Sequence, residues 1–293
     1  MKTNTTHKKM KKKHTKLKLL LLCSIFGALL FLQNENTFKE FKNYLTWQKS
    51  TLHATIFKTP LPKLDEDSIQ NILFTRSRND DKYRHIYNNQ DDYPIQLLAG
   101  LCNNEELLDY VYHYPGSNSE KKATVTESEK NEAIPLFLQW DERWGYKSYG
   151  DGKIGYSGCA PTCVSMVICG LTKQYKYTPD KVAAYADRHF YYLPGTGTRW
   201  TFLTEGAENF GITGKELCLD KQIITKELAK NHPIICSMAP GDFTTEGHFI
   251  VLSGVKDGKI IVKDPNSRNN SSLLWDFERL EGQIRNLWVY EAK

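Results

Sequence analysis

The C-terminal half of the sequence predicts an α+β domain, helices first and an antiparallel sheet after them. Between residues 159 and 230 the apolar positions fall in helix-length runs, whereas between 233 and 290 they fall in short runs rich in β-branched and aromatic residues. A doubly wound sheet would alternate the two kinds of run. Asp257-Gly258 stands between two strand-like runs at hairpin spacing, and that dipeptide favours a two-residue turn between antiparallel strands.

Taken in order, Ile134–Leu138 reads as a short extended start. Residues 145–158 contain Gly145, Gly150, Gly152, Gly155 and Gly158 among polar residues and tyrosines, which predicts a loop. From Cys159 the chain is apolar enough for a largely buried helix, ended by Gly170. Pro161 is compatible with its first turn, where no internal N–H bond is lost. Thr178-Pro179-Asp180 opens a helix to Arg188, and a further one runs from Thr198 or Arg199 to Phe210, closed by Gly211. Lys221–Lys230 is a short helix, and the strands are Pro233–Met238, Gly247–Val255, Lys259–Lys263 and Leu287–Tyr290.

Upstream, residues 117–132 have almost no apolar mass and mark a domain boundary. Pro94–Tyr112 has helical periodicity, with Asn103-Asn104 able to split it into two helices. Residues 76–92 read as turn-rich, and helical pieces are expected around Phe38–Leu52, before Pro60 and Pro62. The expected organisation is therefore a basic and apolar segment at 1–33, a helical accessory region at 35–116, a linker at 117–133 and the main domain at 134–293.

The net charge of +5 is unevenly placed. Residues 1–33 carry eight lysines and no acidic residue, so the remainder sums to −3. A basic folded surface for nucleic acid is not expected. The apolar run Leu19–Leu32 follows the lysines, and it reads as an uncleaved signal anchor or as a secretory signal that is removed, while a buried core helix is disfavoured by the lysine block. In both cases the lysines stay on the cytoplasmic side and the rest is placed outside, single-pass and membrane-bound if the segment stays, secreted if it is cleaved. Seven cysteines without a C-x-x-C pair argue against a dense disulfide framework or a zinc-finger site.

Four residues carry candidate chemistry. Cys159 lies between the glycine-rich loop and a helix start, where backbone N–H groups can stabilise a thiolate and a developing oxyanion. A small buried hydrophobe is the competing reading. His248 opens the apolar run His-Phe-Ile-Val-Leu, placing an imidazole at a sheet edge as a base for Cys159. Asp264 follows the strand that the Asp257-Gly258 hairpin brings alongside, where it can hold the imidazole's tautomer; a plain turn residue in Asp-Pro-Asn is the alternative. Gln139 can donate its amide to an oxyanion or be a surface glutamine, and Trp140 and Trp144 read as packing residues. Trp200, Phe202 and the Gly241-Asp242-Phe243 segment are candidates for lining a cleft.

The pieces Ile134-Pro135, Gln139-Trp140-Asp141, Trp144-Gly145, Gly158-Cys159-Ala160-Pro161-Thr162, Gly247-His248-Phe249-Ile250-Val251 and Asp264-Pro265-Asn266 together resemble the C39-like branch of the papain-like cysteine peptidases. The resemblance covers about residues 134–293, and Pro94–Pro115 also resembles a helical segment found ahead of this domain in membrane-anchored bacterial members. It implies a papain-like α+β fold, with Cys159 as nucleophile, His248 as base, Asp264 as orienting residue and Gln139 as oxyanion donor. Ala160 departs from the glycine often found there, and no ATP-binding or multi-span transporter region accompanies the domain. The expected function is extracytoplasmic hydrolysis of peptide or amide bonds without metal or organic cofactor. The alternatives are a cell-wall peptide hydrolase or amidase, and a non-catalytic peptide-binding protein of the same fold.

Overall fold

Two aspartates set the first helices. Asp65 and Asp80 accept backbone N–H bonds from Ser68, and from Lys82 and Tyr83, and these caps start α1 (Glu66–Ser77) and α2 (Asp81–Asn88). The turn-rich reading of 76–92 thus missed a second helix, whose polar surface residues obscure a buried stripe of Tyr83 and Ile86. The computed structural model describes residues 60–117 and 122–293, and these fall within one compact unit, Lys58–Lys293. The segment at 1–33 and the helical pieces expected at 38–52 lie outside the described residues. Among the described residues no helix is long and apolar enough to cross a membrane.

The expected break at Asn103-Asn104 is present. Helix α3 (Ile95–Asn103) ends there, and a 3₁₀ turn at Glu105–Leu107 leads into α4 (Leu108–Tyr112). Helices α1–α4 bury one cluster that includes Leu73, Ile86, Leu97, Leu101 and Tyr110. The same cluster takes in Leu138, Trp140 and Tyr146 from beyond residue 133. Tyr110 stacks on Tyr146 at 4.5 Å, and its hydroxyl donates to the Gly145 carbonyl at 2.9 Å. From residue 122 onward the polar stretch is fastened rather than loose. Thr126 and Glu129 form a reciprocal cap on the single turn α5 (Glu127–Lys130), and Arg143 forks onto Glu129 and Asp141.

The glycine-rich loop contains a short ribbon, β1 (Ser148–Tyr149) with β2 (Gly152–Lys153), and one turn of helix, α6 (Ile154–Ser157). Helix α7 (Cys159–Thr172) follows and is buried nearly all round, consistent with its lack of a polar face. After α8 (Pro179–Arg188) comes a second ribbon, β3 (Tyr192–Leu193) with β4 (Gly197–Thr198). The helix expected at 198–210 is instead two 3₁₀ turns, Trp200–Leu203 and Ala207–Phe210, divided by Gly206. Gly206 has no room for a Cβ against Phe202.

The main sheet comprises β5 (Ile212–Glu216), β6 (Ile234–Met238), β7 (His248–Lys256), β8 (Lys259–Lys263), β9 (Leu274–Trp275) and β10 (Ile284–Ala292), in the order β5-β10-β6-β7-β8-β9. Every pairing is antiparallel. Asp257 and Gly258 both have positive φ, 53° and 74°, as the primed hairpin turn requires. Helix α9 (Lys221–Ala229) precedes β6, and the short helices α10 (Arg268–Ser272) and α11 (Phe277–Glu281) flank β9. Helix α7 lies on the sheet, and Ala160, Val164, Val167 and Ile168 share a cluster with Ile235, Val251 and Trp288.

Candidate active site

The helix start and the sheet edge meet because a second cysteine joins them. Cys163, one turn after Cys159, is fully buried and directs its thiol to the Phe249 carbonyl at 3.3 Å. Phe249 follows His248, so this contact holds the first turn of α7 against the start of β7. Cys159 itself is half-buried. Its N–H and that of Ala160 lie in the first helical turn, where no intrahelical acceptor exists.

His248 is 7% exposed, and its Nε2 contacts Asp264 Oδ1 at 2.8 Å. Cys159 is near enough to add to the ring's proton affinity, and Nδ1 is the ring nitrogen that Asp264 leaves open. Burial on its own lowers the affinity of the ring for a second proton. The Asp264 carboxylate and Cys159 outweigh it, and the imidazole is pushed up to about 10.

Asp264 is fully buried at the end of β8, and its side-chain oxygens meet three hydrogen-bond partners. Besides His248, Oδ1 accepts the Asn266 N–H at 2.8 Å and Oδ2 accepts Asn270 Nδ2 at 2.7 Å. Its own N–H donates to Ser271 Oγ at 2.8 Å. The turn after it is held from three directions. The Gln139 N–H donates to the Pro265 carbonyl at 2.7 Å, and Trp140 Nε1 and Asn104 Nδ2 both reach the Asn266 carbonyl, at 2.9 and 2.6 Å. Glu106 then caps α10, accepting from Ser267 Oγ and from the N–H groups of Arg268 and Asn269.

Gln139 is 4% exposed. One Nε2 hydrogen goes to the Gly155 carbonyl at 3.1 Å, which fixes the amide orientation because only the nitrogen can donate there. A second Nε2 hydrogen remains, and Oε1 is buried with no hydrogen-bond partner among the described residues. Trp144 is fully buried and donates to the Leu138 carbonyl at 2.7 Å, in keeping with a packing role.

Beside His248 and Gln139 is a cavity of about 280 Å³, lined also by Phe243 and by residues of the segment 61–64 and helix α3. Of the other cleft candidates, Phe202 is fully buried in the main core and so lines no surface, while Trp200 packs edge-on against Trp288. Asn270, Ser271 and Glu106 were not singled out in the sequence. The pattern Asp-Pro-Asn-Ser before Arg268 is the available local signal, because Ser267 is a helix cap that folds Asn270 back onto the aspartate. Among the described residues no group of three or more acidic, histidine or cysteine side chains is placed to hold a metal ion.

A helix beginning at a half-buried cysteine, packed on an antiparallel sheet that presents a histidine–aspartate pair, is the papain-like α+β arrangement. The chain belongs to the Peptidase_C39 like family, whose profile matches residues 131–292. It is also similar to the crystal structure of the peptidase domain of Streptococcus ComA, a bi-functional ABC transporter involved in a quorum sensing pathway. That match is 18% identical and covers 46% of this chain and 93% of the other, with a TM-score of 0.34. Among curated proteins, none matches the chain.

Proposed function

We propose that the protein is a cysteine peptidase that cleaves peptide or amide bonds outside the cytoplasm. The carrying observation is the 2.8 Å contact between His248 Nε2 and Asp264 Oδ1, which leaves Nδ1 for the Cys159 sulfur. In this reading Asp264 accepts a hydrogen bond from Nε2–H and holds the tautomer, and the Cys159 thiolate faces a protonated ring. The thiolate attacks the substrate carbonyl carbon, and the carbonyl π pair moves onto oxygen. The Cys159 N–H and the remaining Nε2 hydrogen of Gln139 stabilise that oxygen. As the intermediate collapses, the C–N bond breaks and His248 transfers its Nδ1 proton to the departing amine. Water, deprotonated by the now neutral His248, then attacks the thioester and releases the acid and the Cys159 thiolate.

The eight lysines followed by Leu19–Leu32 support an extracytoplasmic location, anchored or secreted. The reading is tested by treating the full chain with a peptide carrying a thiol-reactive carbonyl group at mildly acidic pH. Modification confined to Cys159 and lost in His248→Ala is expected. Equal labelling of Cys159 and the exposed Cys218, unaffected by His248→Ala, would refute it.

A further inference from the structure

The cavity beside His248 has an asymmetric lining. It includes His248 and Gln139, whereas Cys159 does not line it. During amide cleavage the acyl portion remains bonded to the cysteine sulfur, while the nitrogen that departs must reach the histidine that protonates it. Space flanked by the histidine and not by the cysteine is therefore where the departing portion of a substrate sits.

The walls of this space are rigid and come from both halves of the described chain. On one side, Asp242 is fully buried under Arg279 and Gln283, with contacts of 2.6 Å to each of two guanidinium nitrogens and 2.8 Å to the amide. That fixes the segment leading to Phe243 and His248. On the other, the Leu61 N–H donates to the Gly241 carbonyl at 2.8 Å, and Lys63 faces Glu246 at 3.6 Å across the mouth. Helix α3 supplies Leu97 and Gly100 behind them. The accessory helices are thus part of the cleft.

The lining also restricts the chemistry of an occupant. Besides His248, its charged side chains are Lys63 and Glu246, which face one another and are both exposed, so the rest of the lining offers neutral amides, hydroxyls and apolar side chains. A volume of about 280 Å³ holds on the order of nine waters. It lies just under the range of roughly 300–1,000 Å³ for small-molecule sites, which is room for one or two residues.

Building on the peptidase reading above, we propose that this cavity is the leaving-group subsite. It accepts a short, uncharged peptide segment, and the accessory segment 61–64 with helix α3 limits its length.

The test is a kinetic series on the full chain. Peptides randomised on the acyl side carry one, two, four or eight residues after the scissile bond, each ending in a carboxamide. The expected result is a fall in kcat/KM of at least tenfold between two and four residues. Leu64→Ala should raise the ratio of long to short substrates, and Gly100→Leu should lower it. At position 100 an added Cβ meets only Leu107, at 3.6 Å, and a thermal melt of this second variant checks that its fold is retained. Cleavage that is indifferent to leaving-group length and to both variants would overturn the subsite while leaving the peptidase reading intact. Failure of Cys159 to be acylated by any member of the series, or by an activated ester, would overturn both.

Discussion

Replacing Asp264 with asparagine keeps the side-chain shape and removes the charge that holds His248 protonated. The imidazole stands at about 10 against an ordinary value of 6.5, and at 1.36 kcal/mol per pH unit that gap corresponds to roughly 5 kcal/mol favouring the charged ring. This is the attraction of Asp264 and Cys159 after the cost of burial. The sign follows directly. A raised histidine contributes stability that is fully present below pH 6.5 and is lost as pH rises through about 10. In Asp264→Asn the alkaline limb of Cys159 acylation should therefore move down from about 10 toward 6.5. The unfolding free energy should lose most of its dependence on pH across the same window. One of the three donors now bound to the carboxylate, His248 Nε2, the Asn266 N–H or Asn270 Nδ2, must also face an amide NH₂. An added loss of about 1–3 kcal/mol is expected near pH 6. Stopped-flow acylation against pH and denaturant melts at several pH values measure the two effects. A variant whose alkaline limb coincides with that of the parent would refute the assignment of His248 protonation to Asp264.

Three other outcomes are expected. Glu106→Ala removes the acceptor for Ser267 and for two N–H groups of α10. It should lower stability by about 1–2 kcal/mol and reduce kcat more than KM, with partial recovery in Glu106→Gln. Gly155→Ala places a Cβ 2.2 Å from the Tyr110 hydroxyl, so thermal melts should show a loss of at least about 2 kcal/mol. A charge-neutral thiol reagent at pH 6 should spare Cys102, Cys163, Cys169 and Cys236, whose thiols burial pushes up, to about 11 for Cys102 and about 12 for Cys169. Peptide mass spectrometry of the modified chain reads the sites, and rapid modification of Cys163 in the folded protein would contradict its packing.

Much of this was legible because the informative signals are local. The apolar run from Cys159 is recognisable as a buried helix, and Asp257-Gly258 specifies its hairpin without reference to the rest of the chain. The same hairpin places Asp264 beside β7 by register alone, since Val251 pairs with Lys263. What was not legible depends on distant partners. Strand β5 was missed because Ile212–Glu216 is short and half polar, and it becomes a strand only by pairing with β10. The polar stretch after residue 121 carries little apolar mass, yet Val125 enters the main core and Arg143 secures Glu129. Glu106 has no local pattern that distinguishes it from a surface residue, and Asn270 is marked only by the Ser267 cap before it. Their importance comes from the turn they brace.

That brace also bears on the timing of folding. Glu106 and Asn104 reach Ser267, Asn266 and Asn269 across 161 to 163 residues of chain. Closing a loop of that length costs roughly 2–3 kcal/mol more than closing one of about ten residues, and contacts of such separation form late. Early helices can assemble on their own apolar cluster while the aspartate turn is still unformed. On the peptidase reading proposed above, reactivity at Cys159 is therefore expected to arrive as one of the final events of folding, once the chain is no longer an easy target for itself.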